Sequence, residues 1–279
     1  MANLDDSNVG VRVFETFRSF LFDRDGYVMA LSIYMDESNT HDGTDYLTVS
    51  TAWAKPRVWA DWSKDWAEKI KPLNNYHSVD VHNREGECEG WSRPRRDALV
   101  IRCLPTFAKH NINGAVACID RKRLAKGLAR RPGIMREVGH EYLIAFIFAV
   151  GNALGKLNDD SLSFFHEENQ WSGKALYHFA KLKKRYNRPN ATLSFGSKTA
   201  WPPLQCADVY AYEGYQQLNL DPTMTNVRRT WQAINVAKDK IIVNALIADD
   251  KITDLLAETL IDWFDRKGLI DSLTTETTP

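Results

Sequence analysis

The chain reads SIYMDESN at residues 32–39, so an apolar run typical of a buried strand delivers two acids, Asp36 and Glu37, where its pattern stops. An ionised carboxylate in a low-dielectric layer is costly unless a cation or hydrogen bonds compensate it. Two later acidic elements have similar settings: FFHEE at residues 164–168 ends another apolar strand, and LQCAD at residues 204–208 lies just inside a helix. Together these acids predict a metal site.

The composition is that of a globular protein with no global attraction to nucleic acid. The 279 residues are 44% apolar, and 36 basic side chains balance 36 acidic ones, so any contact with nucleic acid must use local patches. The four cysteines form no C-x-x-C pair, which favours reduced thiols in a cytoplasm. The N-terminus lacks a signal-peptide pattern, and the most apolar run, residues 142–150, is too short to cross a bilayer. We therefore expect a cytoplasmic protein without membrane association.

Alternating strand and helix patterns predict a single α/β domain over residues 1–279, with a core at about 27–220. A hairpin-type connection joins the first two strands, and three tryptophans at helical spacing follow Pro56. Two additions flank the core, an N-terminal helix at 9–24 and mostly helical residues at 226–267. The predicted strands cover residues 27–35, 46–54, 79–82, 114–119, 162–165 and 191–195, and the main predicted helices begin near residues 56, 97, 133, 171 and 203.

A hairpin, then strands alternating with helices, then a helix carrying an acid is the order expected of a ribonuclease-H-like mixed sheet flanked by helices. The chain resembles the domain-of-unknown-function 3800 family, for which that fold is predicted. The resemblance covers about residues 30–215 and is carried by Asp36-Glu37-Ser38, by the VDVH run at 79–82, and by LQCAD at 204–208 preceded by Ser197-Lys198. Two positions depart from the family pattern: Asn39 replaces a glycine, and Glu167 replaces an aspartate.

Three converging acids suit two-metal hydrolysis of a phosphodiester, in which two ions serve both ends of an in-line displacement. Mg²⁺ or Mn²⁺ is the expected cofactor, because both favour carboxylate oxygens. We expect Asp36 to be the bridging ligand, with Glu167 and Asp208 completing the metal shell. Adjacent strand residues point to opposite faces, so Glu37 is a second choice as a catalytic residue, and whether Glu167 or Glu168 faces the site stays open.

His82, the histidine of the family motif, is a candidate catalytic residue, as a proton shuttle or a phosphate contact. The competing interpretation is a hydrogen-bonded structural histidine. Lys198 is a candidate substrate-binding residue that would stabilise phosphate charge, and it also fits an ordinary solvated lysine in a loop.

Two basic clusters are candidate contacts to the substrate backbone. One follows the predicted strand at 114–119 and includes Arg121 and Arg123; the other includes Lys183 and Lys184. A solvated helix face explains either cluster alone, whereas both together are compatible with phosphate-binding patches.

These residues lead to a metal-dependent nuclease, or a related phosphoryl-transfer enzyme, acting on RNA or DNA. The alternative is a catalytically silent scaffold that binds nucleic acid or protein and keeps the acids for folding, and a junction-resolving or strand-transfer enzyme ranks third. The resemblance also permits a role in bacterial defence or in mobile elements. The oligomeric state is left open, with a homodimer as one option.

Overall fold

A computed structural model describes residues 30–38, 44–129, 132–158, 161–223, 225–234 and 241–246. The predicted N-terminal helix at 9–24 lies outside the described residues, as does the part of the predicted C-terminal helical region beyond residue 246.

One mixed six-stranded sheet organises the described residues, in the order β5-β4-β1-β2-β3-β6. Strands β1, β2 and β3 form an antiparallel meander, whereas β4 runs parallel to β1, β5 parallel to β4, and β6 parallel to β3. All strands except β2 therefore end at the same edge of the sheet, which we call the carboxyl edge. The strands are β1 (Ala30–Ser38), β2 (Tyr46–Ala54), β3 (Asn113–Asp120), β4 (Ser161–Glu167), β5 (Thr192–Gly196) and β6 (Ile241–Leu246).

Helices cover both faces of this sheet. They are α1 (Pro56–Ile70), α2 (Ser78–Asn83), α3 (Arg93–Cys103), α4 (Pro105–Lys109), α5 (Arg121–Ala129), α6 (Pro132–Val138), α7 (Glu141–Lys156), α8 (Ser172–Arg185), α9 (Pro203–Leu220) and α10 (Arg229–Ile234), with a 3-10 turn at Gly86–Cys88. The α/β class with a mixed, helix-flanked sheet is thus confirmed.

The two faces of the sheet carry separate apolar cores, and the alternation along β1 assigns its side chains to them. Leu31, Ile33 and Met35 are buried in the core that α7 and α8 cover. Tyr34 is buried in the other core, with the tryptophan face of α1 and the apolar side of α9. Because neighbouring strand residues point to opposite faces, Asp36 follows Tyr34 onto the α9 side and Glu37 follows Met35 onto the α7 side.

Helix α9 is anchored to the sheet by hydrogen bonds to its backbone. The buried hydroxyl of Ser50 donates to the Ala207 carbonyl at 2.6 Å, and that of Thr48 donates to the Ala211 carbonyl at 2.9 Å. Both hydroxyls come from β2, and because Thr48 and Ser50 are two residues apart, their side chains lie on the same face of the sheet. The helix turn that carries Asp208 is therefore held against the centre of the sheet.

Most of the predicted core elements are confirmed, with small shifts at their ends. The first two strands pair antiparallel as predicted, the three tryptophans Trp59, Trp62 and Trp66 are fully buried, and all four cysteines are free and buried. The predicted helix from residue 97 is two helices, α3 and α4, because Pro105 interrupts the backbone hydrogen bonds.

Two predictions about secondary structure are wrong. The VDVH run at 79–82 lies in helix α2, not in a strand, because two valines alternating over four residues fit either structure. The region at 226–267 is not helical throughout, since it contributes β6 at Ile241–Leu246, where the β-branched run IIV favours a strand.

Candidate functional site

The sheet brings Asp36 and Glu167 to the same place on the carboxyl edge. Strands β1 and β4 are parallel neighbours in which Tyr34 pairs with Phe165 and Met35 pairs with His166. One step farther along each strand, Asp36 and Glu167 follow with the same alternation, so both side chains point to the α9 face. Helix α9 packs on that face and contributes the buried carboxylate of Asp208.

A lysine amino group lies at the centre of these acids. Lys198 Nζ is 2.9 Å from Asp36 Oδ2, 2.7 Å from Glu167 Oε2 and 3.3 Å from Asp208 Oδ1. The two longest of these distances add up to 6.2 Å, so no two of the three carboxylate oxygens lie farther apart than that. Acids that lie 41 to 172 positions apart along the chain thus share one cation.

Burial and charge act on this cluster in opposite directions. Burial raises the pKa of Asp36 well above its usual range; Lys198 opposes the rise, and the charges of Asp208, Glu37 and Glu167 add to it. Burial alone would lower the pKa of Lys198, but the charges of Asp36, Asp208 and Glu167 outweigh it and raise that pKa. Since Glu167 and Asp208 stay beside the amino group whichever proton state Asp36 takes, Lys198 is positively charged.

Residues before and at the start of α2 hold Asp208. The backbone N–H of Ser78 donates to Asp208 Oδ2 at 2.6 Å, and His77 Nε2 lies 3.9 Å from Asp208 Oδ1. The other ring nitrogen of His77 lies 3.2 Å from Asp80 Oδ2. The His77 side chain is 42% exposed, so its imidazole contacts solvent as well as lying near Asp208.

Gln205 links three segments around the site through one buried amide. Its Oε1 accepts hydrogen bonds from Trp66 Nε1 and from the Tyr76 backbone N–H, both at 2.9 Å. Its Nε2 donates to the Lys198 carbonyl and to Asn75 Oδ1, both at 3.3 Å. The glutamine of the LQCAD motif therefore positions the loop that carries Lys198.

Glu37 belongs to a different polar cluster, on the α7 face. Its Oε1 accepts a hydrogen bond from Asn169 Nδ2 at 2.9 Å, and its Oε2 lies 3.7 Å from His166 Nε2. The same His166 nitrogen lies 2.9 Å from the Tyr142 hydroxyl. Strand β1 continues through Ser38, so Asp36 and Glu37 stay on opposite faces, as the alternation predicts.

Of the two glutamates at the end of β4, Glu167 is the one that faces the acid cluster. Glu167 contacts Lys198, whereas the side chain of Glu168 is exposed.

His82 lies away from the acids, one helical turn farther along α2 and α9. Its ring contacts Tyr212, with centroids 5.4 Å apart, and its carbonyl accepts a hydrogen bond from Arg96 at 3.0 Å. Within the described part of the chain, no hydrogen bond or ion pair joins His82 to Asp36, Glu167 or Asp208. His77 is the histidine that lies beside the cluster.

The predicted basic contacts divide between the two ends of the sheet. Arg121 and Arg123 follow β3 at the carboxyl edge, where Arg121 pairs with Glu141 at 2.6 Å and Arg123 lies 3.5 Å from Asp120. Lys183 and Lys184 stand at the end of α8 that leads into the start of β5, at the opposite edge. The structure therefore places Lys198, Arg121 and Arg123 on the carboxyl edge, whereas Lys183 and Lys184 lie at the opposite edge.

The donor set fits a hard divalent ion in its chemistry. Three carboxylates from different elements face one point, and Asp36 Oδ2 is buried without a hydrogen bond of good geometry among the described residues, although the Lys198 amino group lies 2.9 Å from it. Oxygen donors of this kind are those that Mg²⁺ and Mn²⁺ prefer. Among the described residues, no group of three or more His, Cys, Asp or Glu side chains is placed to hold a metal ion as the structure stands. The Lys198 ammonium lies between the three acids.

Sequence reasoning missed the roles of His77 and Gln205. His77 precedes α2 and belongs to no motif that stood out, so only the fold reveals its proximity to Asp208. The glutamine had a signal, because a polar side chain one helical turn from Asp208, in an otherwise apolar stretch, requires partners when buried.

No helix within the described ranges is long and apolar enough to cross a lipid bilayer. In comparisons with family models, curated proteins and solved structures, none matched this chain.

Proposed function

We propose that this chain is a divalent-metal-dependent nuclease with a ribonuclease-H-like fold. The observation that carries the proposal is the meeting of Asp36, Glu167 and Asp208 within one small volume. The sheet supports it, since an antiparallel β1–β2–β3 meander continued by parallel β4 and β5 is the strand arrangement expected of that fold. The resemblance of the DES and LQCAD motifs to the domain-of-unknown-function 3800 family supports it as well.

In this proposal Asp36, Glu167 and Asp208 hold the metal. Bound Mg²⁺ or Mn²⁺ would supply Lewis acidity at the scissile phosphate and at the attacking water. The protein contributes orientation: the Ser78 N–H holds one oxygen of Asp208, and the pairing of β1 with β4 sets the spacing of Asp36 and Glu167.

The substrate is a nucleic acid in this proposal, and its phosphates meet positive charge at the carboxyl edge. Arg123 is 57% exposed there and is the better placed of the two arginines, because the Arg121 side chain is largely buried against Glu141. The global charge of zero means that such local contacts must supply the attraction.

The test is cleavage of a substrate panel by the full chain. Single-stranded, duplex, hybrid and junction nucleic acids are incubated with Mg²⁺ or Mn²⁺, and with EDTA as a control. We expect metal-dependent cleavage of at least one substrate and a loss of at least about 100-fold in Asp36→Asn, since even partners one shell beyond a metal cost 10- to 100-fold when mutated. Asp61→Asn, at an exposed position of α1, is the matched control and should cleave like the wild type.

A second candidate is a silent scaffold, and Lys198 is the observation that favours it. An ammonium that pairs with two buried acids and with the partly exposed Glu167 would stabilise the fold without any metal. A scaffold would show no cleavage with any substrate, and its partner binding would survive Asp36→Asn.

A further inference from the structure

Lys198 lies where an ion bound by the three acids would have to lie. Its amino nitrogen is within 3.3 Å of one oxygen from each of Asp36, Glu167 and Asp208, and its side chain is only 11% exposed. The position follows from the loop between β5 and α9, which begins where Gly196 pairs with Glu167 on the carboxyl edge.

The loop backbone is fixed, so the position of the lysine is built into the fold. Gln205 holds the Lys198 carbonyl, the Trp201 N–H donates to the Ser197 carbonyl at 2.9 Å, and the Ala200 N–H donates to Ser197 Oγ at 3.2 Å. The lysine side chain, by contrast, has four rotatable bonds beyond this backbone, and its amino group strongly favours water. The amino group can therefore leave the acids while the loop stays in place.

The lysine alone does not neutralise the negative charge of the three acids. If all three carboxylates are ionised, the single ammonium leaves a net charge of −2, whereas a divalent ion in its place would leave −1. Mg²⁺ bonds to carboxylate oxygens at about 2.0–2.1 Å. An ion at that distance from the same oxygens would lie almost against Lys198 Nζ, with like charges facing each other in a poorly solvated site.

We propose that Lys198 is an internal counter-ion that occupies the acids of the metal-free protein and is displaced into solvent when a divalent ion binds. The proposal rests on the proposed function, because it requires a metal to bind there. Under this proposal, binding of the metal and exposure of the Lys198 amine to solvent occur together, so either one can be measured to follow the same equilibrium. Lys198 thereby also offsets part of the negative charge of the three acids until the metal arrives.

The first experiment labels the amines of the wild-type chain. The full-length protein is treated briefly with an acetylating N-hydroxysuccinimide ester, with and without saturating Mn²⁺, and modification is quantified for each lysine by peptide mass spectrometry. We expect acetylation of Lys198 to rise at least about fivefold with Mn²⁺, because the amine leaves a buried ion-pair cluster for solvent. Lys156, exposed at the end of α7, is the internal reference and should not change.

The second experiment measures Mn²⁺ binding by calorimetry for the wild type, Lys198→Met and Lys156→Met. Methionine keeps most of the side-chain volume and removes the competing charge. We expect Lys198→Met to bind Mn²⁺ at least about tenfold more tightly than the wild type, and Lys156→Met to bind like the wild type. If Lys198→Met fails to fold without metal, the labelling of the wild type still decides the question.

The outcomes separate this inference from the proposed function. Mn²⁺ binding to the wild type with unchanged or reduced acetylation of Lys198 overturns displacement and leaves the nuclease proposal standing. Binding to Lys198→Met but not to the wild type would show that the lysine occupies the acids permanently, which overturns both displacement and the metal-dependent nuclease proposal. Binding to neither protein overturns both.

Discussion

Replacing Gln205 by methionine tests whether the site is held together by one buried amide. The side chain is 2% exposed, and it is the acceptor for Trp66 Nε1 and for the Tyr76 N–H, each at 2.9 Å. Methionine has a similar length and fills the space, but it offers no oxygen. Both donors would then stay buried without a partner.

The expected cost follows from those two donors. Each buried polar group left unsatisfied costs about 1–3 kcal/mol, so Gln205→Met should lower the free energy of unfolding by about 2–6 kcal/mol. The additional loss of the 3.3 Å bonds to the Lys198 carbonyl and Asn75 acts in the same direction.

The assay is urea unfolding followed by tryptophan fluorescence, with linear extrapolation to water. Gln216→Met is the matched control on the same helix, because Gln216 is half-buried and its amide donates one bond, to the Tyr212 hydroxyl at 2.9 Å. That control should cost no more than about 1 kcal/mol. A loss below about 1 kcal/mol in Gln205→Met would refute the idea that this glutamine ties α1, the segment before α2 and the Lys198 loop together.

Three further changes test other parts of the account. His77→Asn should reduce nuclease turnover about tenfold or more, because the imidazole lies 3.9 Å from Asp208 and proton-transfer groups contribute 10²–10⁴-fold, whereas His82→Asn should stay within about twofold in the same cleavage assay. Burial holds the pKa of His178 below its ordinary 6.5. At this residue the unfolded chain therefore binds more protons than the folded chain, so the contribution of His178 to the free energy of unfolding should fall as the pH drops from 7.5 to 5.5. His178→Gln should make this slope shallower by at most about 1.4 kcal/mol per pH unit in urea unfolding at several pH values, and an unchanged slope would contradict the assignment. Glu37→Gln should leave Mn²⁺ affinity within about threefold in calorimetry, because its side chain is on the α7 face, and a loss comparable to that of Asp36→Asn would contradict this placement.

Much of the acid cluster followed from strand alternation. The period of two already puts Asp36 and Glu37 on opposite faces, whereas the choice between Glu167 and Glu168 needs the register of β1 against β4. The structure has this arrangement. The helix at Pro203–Leu220 could also be predicted from the sequence, because Pro202 and Pro203 stand at the start of an apolar stretch.

The cation of the cluster could not be placed from the sequence. Lys198 was expected to meet substrate phosphate, and its contact with all three acids depends on the course of the loop from Gly196 to Pro203. That course depends on the Gln205 amide, which bonds to the Lys198 carbonyl and is itself held by bonds from Trp66 and Tyr76, more than 100 residues away along the chain.

The sequence did not point to His77, the histidine that lies beside Asp208, for a related reason. Four residues of alternating valine suggested a strand end at His82, but the segment forms a short helix whose preceding residue, His77, turns toward Asp208. Short apolar alternations fit helix and strand about equally well, and the deciding contacts come from α9.

Diffraction from Mn²⁺-soaked crystals, measured at the manganese absorption edge, would show whether the three acids hold a divalent ion. We predict an anomalous peak bonded to Asp36, Glu167 and Asp208, with the Lys198 amino group moved away from the three oxygens. Crystals that hold Mn²⁺ elsewhere, or none at all, with Lys198 still between the acids, would contradict it.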